Sequence, residues 1–162
     1  MNQDFLDLLR SFANHDVRFM VVGAYALAVH GRPRATGDLD VWIEATPANA
    51  ARVFAALQEF GAPMGTLALS DLSAPGVVFQ IGVPPGRVDI LTQLSGLAFE
   101  DAWPSRVRAP FGSIEVDFIG RAAFIKNKLA TGRDKDRVDG HRNIDGGCKT
   151  GMDGRSRAKG GV

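Results

Sequence analysis

The sequence predicts an α/β (α+β) fold, a mixed β-sheet flanked by helices, on three observations. Apolar stripes at helical spacing alternate with short β-branched runs along most of the length. One run, from Asp38 to Glu44, and a second, from Arg87 to Leu91, each put apolar residues on one face and carboxylates on the other. With 162 residues, 45% hydrophobic and 23% charged, the chain can fill one core and has no room for a second full domain.

The elements follow in order. Phe5, Leu8, Leu9 and Phe12 recur at helical spacing and predict an amphipathic helix from about Asp4 to His15. Val17 to Val22 reads as a short buried strand, and the small residues from Ala24 to His30, after Gly23, read as a short helix packed closely on the sheet. Gly31 and Pro33 end that helix and lead into Asp38 to Glu44, where Leu39, Val41 and Ile43 alternate with Asp38, Asp40, Trp42 and Glu44. Thr46 as N-cap and Pro47 at the first position start the next helix; Val53, Phe54, Leu57 and Phe60 are its stripe, and Gly61 stops it.

Pro63 to Pro75 reads as mostly loop. Val77 to Val83 and Arg87 to Leu91 flank Pro84-Pro85-Gly86 and predict an antiparallel pair. A helix around Leu97 to Trp103, a strand near Ile114 to Phe118, and a helix from Arg121 to Thr131 closed by Gly132 complete the domain, which is read as residues 1–139. From Gly140 to Val162 the composition turns to Gly, Lys, Arg and Asp with no useful apolar period, the signature of a disordered tail.

Charge and cysteine usage narrow the classes. The net charge of +1 divides unevenly: the tail holds five Lys/Arg and two Asp, leaving 14 basic and 16 acidic residues before it. Such a body lacks the dense basic face of a protein that holds nucleic acid by phosphate neutralisation. The single cysteine, Cys148, excludes an internal disulfide framework and a thiolate-rich zinc site. The longest apolar run, Phe19 to Val29, is too short to cross a bilayer, and the N-terminus lacks a basic segment leading into an apolar one; the reading is a cytoplasmic protein with no membrane partner.

The chemistry concentrates around Asp38 and Asp40. Two residues apart in a strand, they leave the same face roughly 6 to 7 Å apart. Oxygen-only ligation suits Mg²⁺ or Mn²⁺, which accept phosphate oxygens as remaining ligands. Asp89 shows the same pattern, with Val88 and Ile90 on the opposite face. If the two strands are neighbours, three carboxylates converge, an arrangement that is costly until a cation neutralises it. In a two-metal phosphoryl transfer Asp38 and Asp40 bridge the ions, while Asp89 ligates one and helps deprotonate the attacking hydroxyl. Gly23 and Ala24 stand at a strand-to-helix turn whose amides can meet a phosphate. Arg34 and Thr36 approach the carboxylates from the N-terminal side, and Lys126, Lys128, Arg133 and Lys135 form a later basic group suited to triphosphate oxygens.

The ordered set Val22-Gly23-Ala24, Gly31, Arg34, Thr36, Asp38-Leu39-Asp40 and Asp89 resembles the nucleotidyltransferase superfamily. More narrowly, it is similar to small bacterial members related to the AbiEii toxin and to minimal MNT-type antitoxins, a subgroup that the stretch from Lys126 to Arg133 also fits. The resemblance covers about Val17 to Asp139. It implies a polymerase-β-like core, Mg²⁺ (or Mn²⁺) held by Asp38, Asp40 and Asp89, and a nucleoside triphosphate (NTP) at the Gly turn. It further implies transfer of a nucleoside monophosphate (NMP) to a hydroxyl on a protein, RNA or small molecule, in a toxin–antitoxin or phage-defence setting with a cognate toxin or antitoxin as partner. The chain departs from that pattern twice. Many active members have Gly-Ser or Gly-Gly where this chain has Gly23-Ala24, and they continue with more helix after a segment like 135–139. The alternative they leave open is a catalytically weak module that binds a nucleotide or a partner.

Blander readings stand beside these. An Asp-x-Asp at a strand edge is often only solvated surface, and Lys126 to Lys135 fits an exposed helix face equally well. His30 reads as a helix-end residue and Tyr25 as core, while Trp42 suits either core packing or base stacking. A Rossmann dinucleotide site fails because its multiple-glycine fingerprint is absent and the acidic residue comes too early.

Overall fold

Helix α1, Gln3–Asn14, opens on Asn2, whose side chain accepts hydrogen bonds from the amides of Asp4 and Phe5, and it buries Phe5, Leu6, Leu8, Leu9 and Phe12 along one stripe. The structure is a computed structural model, and it describes residues 2–33, 37–134 and 142–145. After α1 come strand β1, Phe19–Val22, helix α2, Gly23–Val29, strand β2, Asp38–Ile43, and helix α3, Pro47–Phe60. Strands β3, Val77–Ile81, and β4, Arg87–Leu91, follow, then a single-turn helix α4, Phe99–Ala102, strands β5, Val107–Phe111, and β6, Ile114–Phe118, helix α5, Arg121–Asp134, and strand β7, Arg142–Asp145.

The seven described strands form one mixed sheet in the order β5-β6-β1-β2-β4-β3-β7. β2 lies at its centre, antiparallel to β1 and parallel to β4, so Leu39, Val41 and Ile43 are fully buried. The β3 to β4 hairpin is antiparallel as the turn residues predict. Helices flank the sheet, and α1 and α3 pack together. The Ser11 hydroxyl donates to the Ala56 carbonyl at 2.8 Å between these two helices, and Phe12 meets Phe19 of β1 edge-to-face.

Asn49 joins three elements. Fully buried in α3, it accepts from the Arg18 amide and donates to the carbonyls of Arg18 and Glu44, fixing the start of β1 against the end of β2. Thr46 caps the same helix by accepting from the Asn49 amide at 3.2 Å, and Gly61 closes it at φ 89°. Thr46→Ala is expected to lower unfolding stability by about 1 kcal/mol, read as an earlier denaturant midpoint with unchanged slope.

Several expectations from sequence need correction. β5 was missed because exposed Arg106 and Arg108 and the interior Pro110 hide its alternation; as an edge strand it tolerates that proline. α5 continues through Gly132 to Asp134, since one helical glycine costs only about 1 kcal/mol where packing supports the helix. Ala130 beside Gly96, and a hydrogen bond from the Asn127 side-chain Nδ2 to the Ser95 carbonyl, supply that packing. Arg142–Asp145, within the segment read as tail, pairs with β3 as β7 and buries Ile144; the rest of 140–162 lies outside the described residues, Cys148 included. Trp42 is buried against Phe99, which removes it as a base-stacking ring, and Tyr25 packs between Phe5 and Phe111. The His30 ring nitrogen Nε2 lies 2.8 Å from the Ile119 carbonyl, a helix-end contact. Among the described residues no helix is long and apolar enough to cross a membrane.

Candidate functional site

The parallel pairing of β2 with β4 builds the site. Its register sets Asp38 opposite Arg87 and Asp40 opposite Asp89, and the alternation of each strand turns these four side chains away from Leu39, Val41, Val88 and Ile90. Gln80 of β3 continues the Asp40–Asp89 row on the far side of Asp89, and Val22 of β1 continues it on the near side. The three aspartates singled out from sequence therefore share one face of two adjacent strands.

Gly23 lies against this row. The chain leaves β1 at φ 71°, a left-handed conformation, and a Cβ at this position would run into the Asp40 carboxylate. Glycine is thus required twice over, by backbone conformation and by the closeness of Asp40. Gly23 and Ala24 form the first turn of α2, beside the carboxylates as the spacing predicts. Arg34 and Thr36 lie outside the described residues. At the end of that loop Gly37 touches Pro85 of the β3–β4 turn, where a Cβ would collide with the proline.

Arg87 is the residue the sequence reading passed over. Its Nη2 lies 3.1 Å from Asp38 Oδ2 and its Nε lies 3.1 Å from Asp89 Oδ1, so one guanidinium joins both carboxylates. The first contact is a hydrogen bond; the second has an ion pair's distance without a hydrogen bond's alignment, and both of its atoms are buried without a hydrogen-bond partner. The available signal was the strand period itself, which puts residues 87 and 89 on one face.

Burial and mutual repulsion set the electrostatics. Burial pushes the Asp40 carboxyl up to about 6, with the charges of Asp89 and Asp38 adding to the rise and those of Arg87 and Lys128 opposing it. Asp89 is also raised, first by burial and then by Asp38, against the charge of Arg87, a hydrogen bond with Gln80 and the close side-chain contact of Arg87, which is an ion pair at 3.1 Å whose angle falls short of a hydrogen bond. Lys128, over the Phe124 ring on α5, is therefore close enough to act on Asp40. Lys126 leaves the same helix about 200° away, so the two lysines do not converge.

The donor set suits a hard divalent ion. The three acidic side chains offer only carboxylate oxygens, the buried Asp89 Oδ1 lacks a hydrogen bond, and among the described residues the three carboxylates face two cations, Arg87 and Lys128. The arrangement is nevertheless not a closed cage: among the described residues no three His, Cys, Asp or Glu side chains stand in ligating geometry. The Arg87 guanidinium stands between Asp38 and Asp89.

Fold comparison bears on this arrangement. A crystal structure of a candidate nucleotidyltransferase from Thermotoga maritima superposes with a TM-score of 0.57, covering 84% of this chain and 89% of that one at 14% identity. The chain has a nucleotidyltransferase-like fold. At that identity the likeness concerns the path of the backbone, and the site must be argued from its own residues. No known protein family matches the sequence, and no curated protein does.

Proposed function

We propose that the chain is a metal-dependent nucleotidyltransferase that moves an NMP group from an NTP to a hydroxyl acceptor. One observation carries the reading: Asp38, Asp40 and Asp89 share one face of adjacent parallel strands, with the Gly23 turn against Asp40. Mg²⁺ or Mn²⁺ would be held by these carboxylates, where its charge would offset that developing on the transferred phosphoryl group. Asp89, with its pKa raised by burial, suits the proton of an incoming hydroxyl. Lys128 approaches the same face as a positive charge for triphosphate oxygens, and Gly23 and Ala24 bring backbone amides to its edge.

The test is label transfer. Wild-type protein incubated with each α-labelled NTP, Mg²⁺ or Mn²⁺, and protein, RNA or small-molecule acceptors is expected to pass label to one of them, and Asp40→Ala is expected to pass none. Equal transfer by both proteins, or no transfer with any acceptor, would count against the enzyme. Binding is a separate readout: an NTP with Mn²⁺ should raise the melting temperature, and Asp38→Ala should remove the metal-dependent part of the rise.

A second reading is a nucleotide- or partner-binding module with little turnover. Its support is specific: Arg87 already bridges Asp38 and Asp89, and Ala24 supplies no hydroxyl at the turn. The toxin–antitoxin setting and a cognate partner belong with the motif from Lys126 to Arg133, and a cytoplasmic location with the shortness of the apolar run from Phe19 to Val29. Co-purification of a neighbouring gene product is the experiment for that setting.

A further inference from the structure

We propose that Arg87 is a built-in cation that competes with the divalent metal for Asp38 and Asp89 and so sets how readily the site loads. The inference rests on the metal-site reading above and extends it to a residue outside the ligand set.

Three features of the geometry support competition over simple scaffolding. The guanidinium contacts one oxygen of each carboxylate; it does not dock both its nitrogens onto one of them, the strong bidentate arrangement open to arginine. The Arg87 Nε and Asp89 Oδ1 atoms are buried and misaligned, leaving two polar groups poorly satisfied where an ion bound by Asp89 would satisfy one of them directly. Arg87 is itself 30% exposed, so its head can leave toward solvent while its stem stays on the strand. To ligate one metal together the carboxylate oxygens must converge on a single point. The guanidinium contacts both Asp38 and Asp89, and among the described residues no three-ligand set stands in ligating geometry.

Charge gives the same direction. Three carboxylates facing one another require positive charge, and among the described residues Arg87 forms an ion pair with two of them. A residue that supplies that charge stabilises the metal-free protein and by the same amount opposes the metal. Arg87 therefore acts as a positioning residue: it holds the unloaded carboxylates in place and raises the metal concentration at which they fill.

The experiment is Mn²⁺ titration without nucleotide, following free Mn²⁺ by its electron-spin resonance signal, on wild type, Arg87→Ala, Arg87→Gln, Arg87→Lys and Asp40→Ala. Arg87→Ala and Arg87→Gln are expected to bind Mn²⁺ roughly tenfold more tightly than wild type, Arg87→Lys to fall between, and Asp40→Ala to lose binding. A purely structural arginine would give the opposite sign, because its loss would loosen the carboxylates and weaken binding. Unchanged or weaker affinity in the folded Arg87 variants, with Asp40-dependent binding in wild type, overturns the competition alone. No uptake by any of the proteins overturns the metal site and the competition together. Uptake by the Arg87 variants but not by wild type supports competition in its strongest form. Arg87→Gln keeps the test decisive if Arg87→Ala does not fold, since it keeps two of the three stem methylenes and ends in a neutral polar group.

Discussion

In metal-free buffer at about pH 8, Asp40→Asn is expected to unfold at a higher temperature than wild type, by roughly 5 °C. The carboxyl titrates near 6 in the folded protein against a usual 3.8, so between those values the folded state holds a proton that the unfolded state has released. Stability from this group is fully present below about 4 and is lost as pH rises through about 6. Above that range wild type carries a buried, repelled charge that asparagine lacks. The difference amounts to about 2 kcal/mol once the solvent reaching the carboxylate is allowed for. Melting curves of both proteins at a series of pH values check it: the gap should close toward pH 4 and be full by pH 8. A gap independent of pH would mean that packing, not charge, separates the two. Saturating Mn²⁺ should narrow the gap at high pH by stabilising wild type alone.

Gly23→Ala is the largest loss expected from a single methyl group, about 3 kcal/mol. The left-handed backbone alone costs an alanine about 1 to 2 kcal/mol, and the added Cβ collides with the Asp40 carboxylate, which is hemmed in by Asp89 and Asp38. Gly31→Ala is the control. Gly31 also has a left-handed φ, of 91°, but an added Cβ meets nothing within 4 Å, so only the conformational part should appear. Denaturant titration of the two variants separates the terms. Equal losses would show that the Gly23 backbone can move away from Asp40, and the close approach would then have no energetic weight.

These effects depend on features that were legible to different degrees. β2, α3 and the β3–β4 hairpin could be read because their alternation, caps and turn residues agree: Thr46, Pro47 and Gly61 bracket one helix as cleanly as any sequence can. Placing Asp89 beside Asp40 needed only that β2 and β4 be neighbours, which no local pattern states but which two matching apolar-in, carboxylate-out strands suggest. The strand period puts Arg87 on the face of Asp89, but its pairing with Asp38, 49 residues away, appears only in the register. β5 and β7 escaped for another reason. Half of β7 is residues disfavoured in strands, β5 carries Pro110 and an exposed Arg108 in its middle, and both are edge strands whose pairing is decided by the neighbour they join. Trp42 shows the converse limit: alternation placed it on the polar face, and packing by Phe99 covered it.

The parallel pairing of β2 with β4 also has a consequence in time. Parallel neighbours cannot be joined by a tight turn, and here α3 and β3 intervene before β4 arrives to complete the acidic row. On a ribosome, β2 emerges and can pair with β1 through Asp40 to Ile43 long before Asp89 exists to add its repulsion. The strand that brings the repulsion brings Arg87 with it, two residues ahead of Asp89, so the cation and the third carboxylate are delivered together. Nascent chains halted before residue 87 should consequently form the antiparallel β1–β2 pair without divalent metal.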